Sequence, residues 1–396
     1  MKYCIVITDG AAGWPLPDHG NHTCLEIAKT PNLDALAGEG VLGLARTVPD
    51  GMEPSSACAC MSVLGYDPEV YYRGRSAIEA ISLGVPVGPD DVLFRCNMIA
   101  TRHEKMWSYS AGNISTEESS PLIDALNEKL GNDNIKFFPG TSYRHILRIT
   151  GKPETLSAIT TPPHDISDKP VKDYLPQGPG SAFLNELMEK SKEILEEHQI
   201  NKVRKVTGKI PARQIWLFWS SGKVPAMPSF KEVYKLDAAM TSGVDLLRGL
   251  ARMMNMEVLE IPGVTDGQDN DYTAQAEGAI EALKKKDLVV IHVEAPDEAG
   301  HEGLVEDKVK AIENIDKEII GRLRSCKHGE LRIMVMPDHP TPIQIKTHCP
   351  DPVPFLLWGN GFSPSKAAAF TEAEAKKSGE MIDRGYTLMA RFIKRD

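Results

Sequence analysis

Four short apolar runs, each closing on a turn, limit what this chain can fold into: Tyr3 to Thr8, Asp287 to Val293, Leu331 to Met336 and Val353 to Trp358. Near-continuous Val, Ile and Leu suits strands covered on both faces, as in a parallel sheet. Helical patterns alternate with them at Asp245 to Met254, Tyr272 to Lys286 and Glu306 to Ser325. Strand and helix alternating in this way predict an open α/β sheet. The middle of the chain reads differently, with polar, proline-bearing turns, a charged helix over Ser181 to His198, and short strands at Asp91 to Ile99 and His145 to Thr150. The expected organisation is therefore a catalytic core from residues 1–75 and 215–396, with a smaller α+β domain, 76–214, inserted as a substrate-binding lid.

The 396 residues suffice for two or three domains and a sizeable core without staples. A net charge of −10 argues against a nucleic-acid partner, which wants a clustered positive field. No apolar run approaches the length of a transmembrane helix, so no membrane partner is expected. The first residues read as a strand rather than a signal peptide. Seven scattered cysteines with no CxxC pair fit a reducing, cytoplasmic compartment.

Ligands in open α/β sheets bind at the carboxyl ends of the strands. Metal-binding side chains fall at those places. Asp9 follows the first strand, Asp297 and His301 follow the second run, and Asp338 and His339 follow the third, with His348 in the loop behind. Any one of them alone reads equally well as a turn former or helix cap; their recurrence on successive strand ends points to a metal site. Mixed carboxylates and imidazoles suit Mn²⁺ or Zn²⁺ better than Mg²⁺. A nucleophile is offered by Ser55 or Ser56, which precede a short helical stretch. A helix N-terminus favours a phosphorylated serine, and a metal lowers the hydroxyl's pKa. Either serine also suits a plain N-cap.

TDG at 8–10, LGYDP at 64–68, YRGR at 72–75 and FRCN at 94–97 resemble the archaeal-type cofactor-independent phosphoglycerate mutases, of the alkaline phosphatase superfamily. So do SYRHI at 142–146, TTPPHDIS at 160–167, APDEAGHEG at 295–303 and DHPTP at 338–342. The resemblance runs through essentially the whole chain. It implies an alkaline-phosphatase-like core, with a mostly parallel sheet flanked by helices, and two divalent cations: Mn²⁺ first, with Zn²⁺, Co²⁺ or Mg²⁺ as alternatives. It implies that Asp9, Ser56, Asp338 and His339 hold one ion and Asp297, His301 and His348 the other. Ser56 becomes the nucleophile, His164 the acid/base with Asp165 assisting, and Arg95 and Arg144 the clamps on carboxylate or phosphate. The implied reaction converts 3-phosphoglycerate to 2-phosphoglycerate through phosphoserine, without 2,3-bisphosphoglycerate. His145 and His292 read as structural.

The match departs in places. The family's nucleophile segment reads like GSDTANLS, whereas here Ala57 replaces its acid and Cys60 its asparagine, and Val233 stands where the family has lysine. A thiol one turn past the nucleophile is expected to make the site sensitive to oxidation. Two other readings keep the same residues: a phosphatase or phosphotransferase acting on another small alcohol such as homoserine, and a non-catalytic binder of phosphorylated ligands. The absence of GxxxxGK[ST] excludes a P-loop kinase.

Overall fold

The computed structural model describes residues 1–223, 225–326 and 330–394. The chain forms two compact units, 1–72 with 226–396, and 73–225. Strands β1 (Lys2–Thr8) and β2 (Val41–Ala45) open the first unit. The second carries β3 (Asp91–Arg102), β4 (Lys105–Ser108), β5 (Ile135–Phe138), β6 (Arg144–Thr150) and β7 (Gln214–Ser221). The first resumes with β8 (Ala238–Thr241), β9 (Glu257–Val258), β10 (Leu288–Val293), β11 (Leu331–Met336), β12 (Val353–Trp358) and β13 (Met381–Ile382).

In the first unit eight strands run in the order β13-β2-β12-β11-β1-β10-β8-β9. The pairings are parallel except those of β12, which runs antiparallel to both β11 and β2. The mostly parallel α/β sheet is thus as expected. Helices Pro31–Glu39, Asp245–Met253, Tyr272–Leu283 and Glu372–Lys377 pack against it. The central β1 and β10 are buried along nearly their whole length, which is why both read as unbroken apolar runs. Among the described residues no helix is long and apolar enough to cross a membrane.

The second unit is α+β. Its antiparallel sheet has the order β4-β3-β6-β5, with β7 on the free side of β3. Helices Thr116–Leu130 and Ser181–Glu197 pack on it around Phe94, Leu126, Phe137, Leu147, Met188 and Trp216. Because β7 pairs with β3 from Leu93 to Ile99, residues 215–225 belong to this unit rather than to the core, where the sequence reading put them.

One buried cation ties the loops behind β1 and β11. Lys308, wholly buried on helix Val305–Asn314, donates from Nζ to the carbonyls of Ala12 at 3.2 Å and Thr341 at 2.7 Å. Burial pushes its pKa down. Lys308→Ala takes a donor from both carbonyls, leaving that of Ala12 with only the Thr341 N–H at 3.1 Å, and opens a cavity behind them. It is expected to cost roughly 2–5 kcal/mol, read as a lower denaturant midpoint.

Candidate active site

The carboxyl ends of β1, β10 and β11 lie side by side, because β1 pairs in parallel with both neighbours. Asp9 follows β1 directly. Gly10, at φ 60°, turns the chain there, and a Cβ on it would collide with the Asp297 carboxylate and the Thr341 hydroxyl. Its N–H donates to Asp338 Oδ1 at 3.2 Å. Helix Ala295–Glu302 starts just past β10 and carries Asp297 and His301 four residues apart, on one face. Asp338 and His339 follow β11 and are wholly buried.

Two donor groups form. In one, His301 Nε2 lies 3.1 Å from Asp297 Oδ2, and His348 Nε2 lies 3.6 Å from Asp297 Oδ1. His301 Nδ1 is 3.0 Å from the Lys346 carbonyl, and His348 Nδ1 is 3.1 Å from that of Pro54. A carbonyl only accepts, so each Nδ1 carries a proton and each ring turns its Nε2 toward Asp297. The two Nε2 atoms are 2.9 Å apart. Nitrogens that close require a cation or a proton between them. In the other group, ligand atoms of Asp9, Asp338 and His339 lie within 4.8 Å of one another. His339 Nε2 is 3.3 Å from Asp338 Oδ2 and 3.7 Å from Asp9 Oδ1, and that Asp9 oxygen has no hydrogen-bond partner. His339 also groups with Asp297 and His348, so it joins the two sets.

The electrostatics ask for positive charge. Burial, then the Asp338 carboxylate, pushes the Asp9 carboxyl well above the usual carboxylate range. Burial also lowers the His339 and His292 imidazoles, the latter to about 4. A hydrogen bond to Asp297 raises His301 to about 9. Oxygen and imidazole donors converging on orphaned buried carboxylates fit divalent cations.

The two serines separate cleanly. Ser55 is the N-cap of helix Ser56–Val63 and accepts from Cys58 N–H at 3.4 Å. Ser56 is the first helical residue, and its Oγ is 3.3 Å from His339 Nε2.

The remaining sequence candidates lie in the second unit. His164 is exposed, with ring centroids 5.8 Å from Trp219, 6.2 Å from Tyr109 and 6.3 Å from Phe218. Asp165 is 3.7 Å from its Nε2. Trp219 adopts a left-handed φ of 50°, and the Arg75 guanidinium covers its ring at 4.9 Å. Arg144, half-buried, packs over Tyr143 at 5.5 Å. Arg95 is buried, its Nη1 on both Glu79 carboxylate oxygens and its Nε donating to Asn97 Oδ1 at 3.2 Å. Glu79→Ala strands that guanidinium, and a loss of about 3–5 kcal/mol is expected in equilibrium unfolding.

A family model described as 2,3-bisphosphoglycerate-independent phosphoglycerate mutase matches residues 37–201. A curated relative of that name from Methanosarcina barkeri is 44% identical, covering 100% of both chains. The chain belongs to this mutase family. A Methanothermobacter thermautotrophicus relative, named as a second mutase of this kind, is 46% identical over 94% of this chain and 92% of its own. Among solved structures, a Pyrococcus horikoshii protein aligns with TM-score 0.83 at 29% identity, covering 100% of this chain and 98% of that one. The cofactor-independent phosphoglycerate mutase of Thermoplasma acidophilum aligns with TM-score 0.66 at 28% identity, covering 99% of each.

In this member of the mutase family, Asp9, Ser56, Asp297, His301, Asp338, His339 and His348 gather in the first unit, while Arg95, Arg144, His164 and Asp165 belong to the second. The structure brings three further residues up to these donor groups. His292, read as structural, lies inside β10 but its Nε2 is 2.7 Å from Asp9 Oδ2. Glu294 Oε2 is 3.5 Å from that nitrogen and lacks a hydrogen-bond partner. Cys60 Sγ is 3.5 Å from Asp338 Oδ2. The helical spacing from Ser56 to Cys60 was the available signal for the third; His292 and Glu294 needed the strand register. Cys60 is wholly buried, so the oxidation sensitivity expected of it is not supported.

Proposed function

We propose that this chain interconverts 3-phosphoglycerate and 2-phosphoglycerate through a phosphoserine on Ser56, without 2,3-bisphosphoglycerate. The observation that carries the reading is Ser56 Oγ at 3.3 Å from His339 Nε2, beside two donor groups, in a chain of the mutase family. Asp9, Ser56, Asp338 and His339 are proposed to hold one divalent cation, and Asp297, His301 and His348 the other. Mn²⁺ suits these mixed donors first, with Zn²⁺, Co²⁺ and Mg²⁺ following. When bound, the cations neutralise charge on the transferring phosphoryl group and favour the serine alkoxide.

Ser56 Oγ attacks phosphorus, the bond to the 3-oxygen breaks, and glycerate stays bound. Its 2-hydroxyl then attacks the phosphoserine, and the bond to Ser56 Oγ breaks. The N–H groups of the first turn of helix Ser56–Val63 receive the phosphoryl oxygens. His164, with Asp165 beside it, is proposed to carry the proton between the glycerate hydroxyls. The second unit is thereby the proposed substrate-binding unit. Arg144 clamps the substrate's carboxylate or phosphate, and Arg95 joins through the Nη2 nitrogen that Glu79 and Asn97 do not use. Seven free thiols favour a reducing compartment, the cytoplasm.

The test loads the protein with Mn²⁺ and supplies 3-phosphoglycerate alone, with enolase coupling and a parallel assay for free phosphate. Enolase signal without phosphate release is expected. Phosphate without 2-phosphoglycerate makes the protein a hydrolase, and silence in both channels calls for another substrate.

A further inference from the structure

Behind the two donor groups is a third set that they do not use up. Cys60 lies one turn beyond Ser56 on the same helix, and ligand atoms of Asp9, Cys60 and His292 lie within 4.8 Å of one another, all three residues buried. The Asp9 carboxylate is shared between two imidazoles: Oδ1 is 3.7 Å from His339 Nε2, and Oδ2 is 2.7 Å from His292 Nε2. The His292 ring is held from behind. Its Nδ1 is 2.9 Å from Ser242 Oγ, which also accepts from Val244 N–H at 3.0 Å. A ring anchored at Nδ1 presents Nε2 forward, the arrangement in which metal-binding histidines are held. Glu294 Oε2, 3.5 Å from the same Nε2, has no hydrogen-bond partner, and neither has Asp9 Oδ1. Among the described residues no lysine or arginine pairs with Asp9, Glu294 or Asp338, so a buried group of carboxylates lacks its positive charge.

We propose that Asp9, Cys60 and His292, with Glu294 beside them, form a third cation pocket in which Cys60 binds as a thiolate. Asp9 bridges it to the ion of Asp338 and His339. On loading, the Cys60 S–H bond breaks, the proton leaves to solvent and the sulfur lone pair binds the ion. Sulfur and imidazole make this pocket softer than the other two, so it selects Zn²⁺ over Mn²⁺ and Mg²⁺. It is also this chain's own feature within the family pattern, because the GSDTANLS segment offers an asparagine where Cys60 stands. The pocket rests on the site being a metal centre and is independent of which substrate is turned over.

The protein is stripped with a chelator, reloaded with Co²⁺, and read by electronic absorption and metal analysis. A near-ultraviolet sulfur-to-cobalt charge-transfer band is expected, with about three ions per chain; Cys60→Asn loses the band and falls to about two. His292→Gln is expected to lose the same ion. If Cys60→Asn does not fold, X-ray absorption on the zinc-loaded wild type asks the same question, because a bound thiolate adds a sulfur shell at about 2.3 Å. Two ions with only nitrogen and oxygen neighbours, or a band that survives Cys60→Asn, overturns the third pocket and leaves the two-ion reading standing. No bound ion at all overturns both.

Discussion

Ser56→Ala is expected to lower turnover by on the order of 10⁴- to 10⁶-fold, whereas Ser55→Ala retains most of it. The two side chains are neighbours, yet their surroundings give them different work. Ser55 has extended backbone, φ −154° and ψ 150°, and its hydroxyl oxygen accepts from Cys58 N–H, so its loss is that of an N-cap, about 1 kcal/mol of stability. Ser56 makes no cap; its Oγ faces His339 Nε2 at 3.3 Å, at the edge of the buried donor set. Removing that oxygen removes the atom that forms the bond to phosphorus, which no neighbouring group replaces. The measurement is 2-phosphoglycerate formation by both variants, with mass spectrometry of the Ser55–Ser56 peptide after substrate is added. A phosphate on that peptide in the wild type and in Ser55→Ala, absent from Ser56→Ala, is the expected pattern. An active Ser56→Ala beside an inactive Ser55→Ala would reassign the nucleophile.

What the sequence revealed and what it hid follow one physical line. Asp9, Asp297 and Asp338 were legible because each ends a short apolar run, and parallel strands converge their carboxyl ends on one edge. Direction was not legible. Val353–Trp358 is almost wholly buried in an antiparallel position, and burial on both faces erases the alternation that separates the two cases. The reading of His292 failed for a related reason. A lone histidine within a buried strand looks like a satisfied core residue until the register, Ile7 opposite His292, brings its ring to the side chain that follows β1. Arg95 shows the limit for charged residues. Its fork shape suits a phosphate, but Glu79, sixteen residues away on helix Arg75–Ser82, takes part of it, and no local spacing announces such a pair.

Chelation is expected to lower both activity and stability, and cation addition to restore both. Asp9, Asp297 and Asp338 are almost completely buried, and their neighbours are imidazoles, of which burial keeps those of His292 and His339 from protonating readily. Without cations the folded chain must either protonate Asp9, whose carboxyl is pushed well above the usual range by burial and the Asp338 charge, or hold its charge unpaired in a poor dielectric, and each course costs free energy that the unfolded chain avoids. Ions that bind only the folded state stabilise it by mass action, about 2.7 kcal/mol for each one at a hundredfold excess over its Kd. Two such ions give about 5 kcal/mol, which for a unit of this size raises Tm by roughly 10–20 °C. Asp297→Asn should shrink the shift, since the oxygens that His301 and His348 approach at 3.1 and 3.6 Å then carry no charge. Differential scanning fluorimetry of stripped and Mn²⁺-loaded protein, paired with the enolase-coupled assay, reads both effects on one sample. A Tm indifferent to chelator, with activity intact, would sink the metal centre and the mechanism built on it.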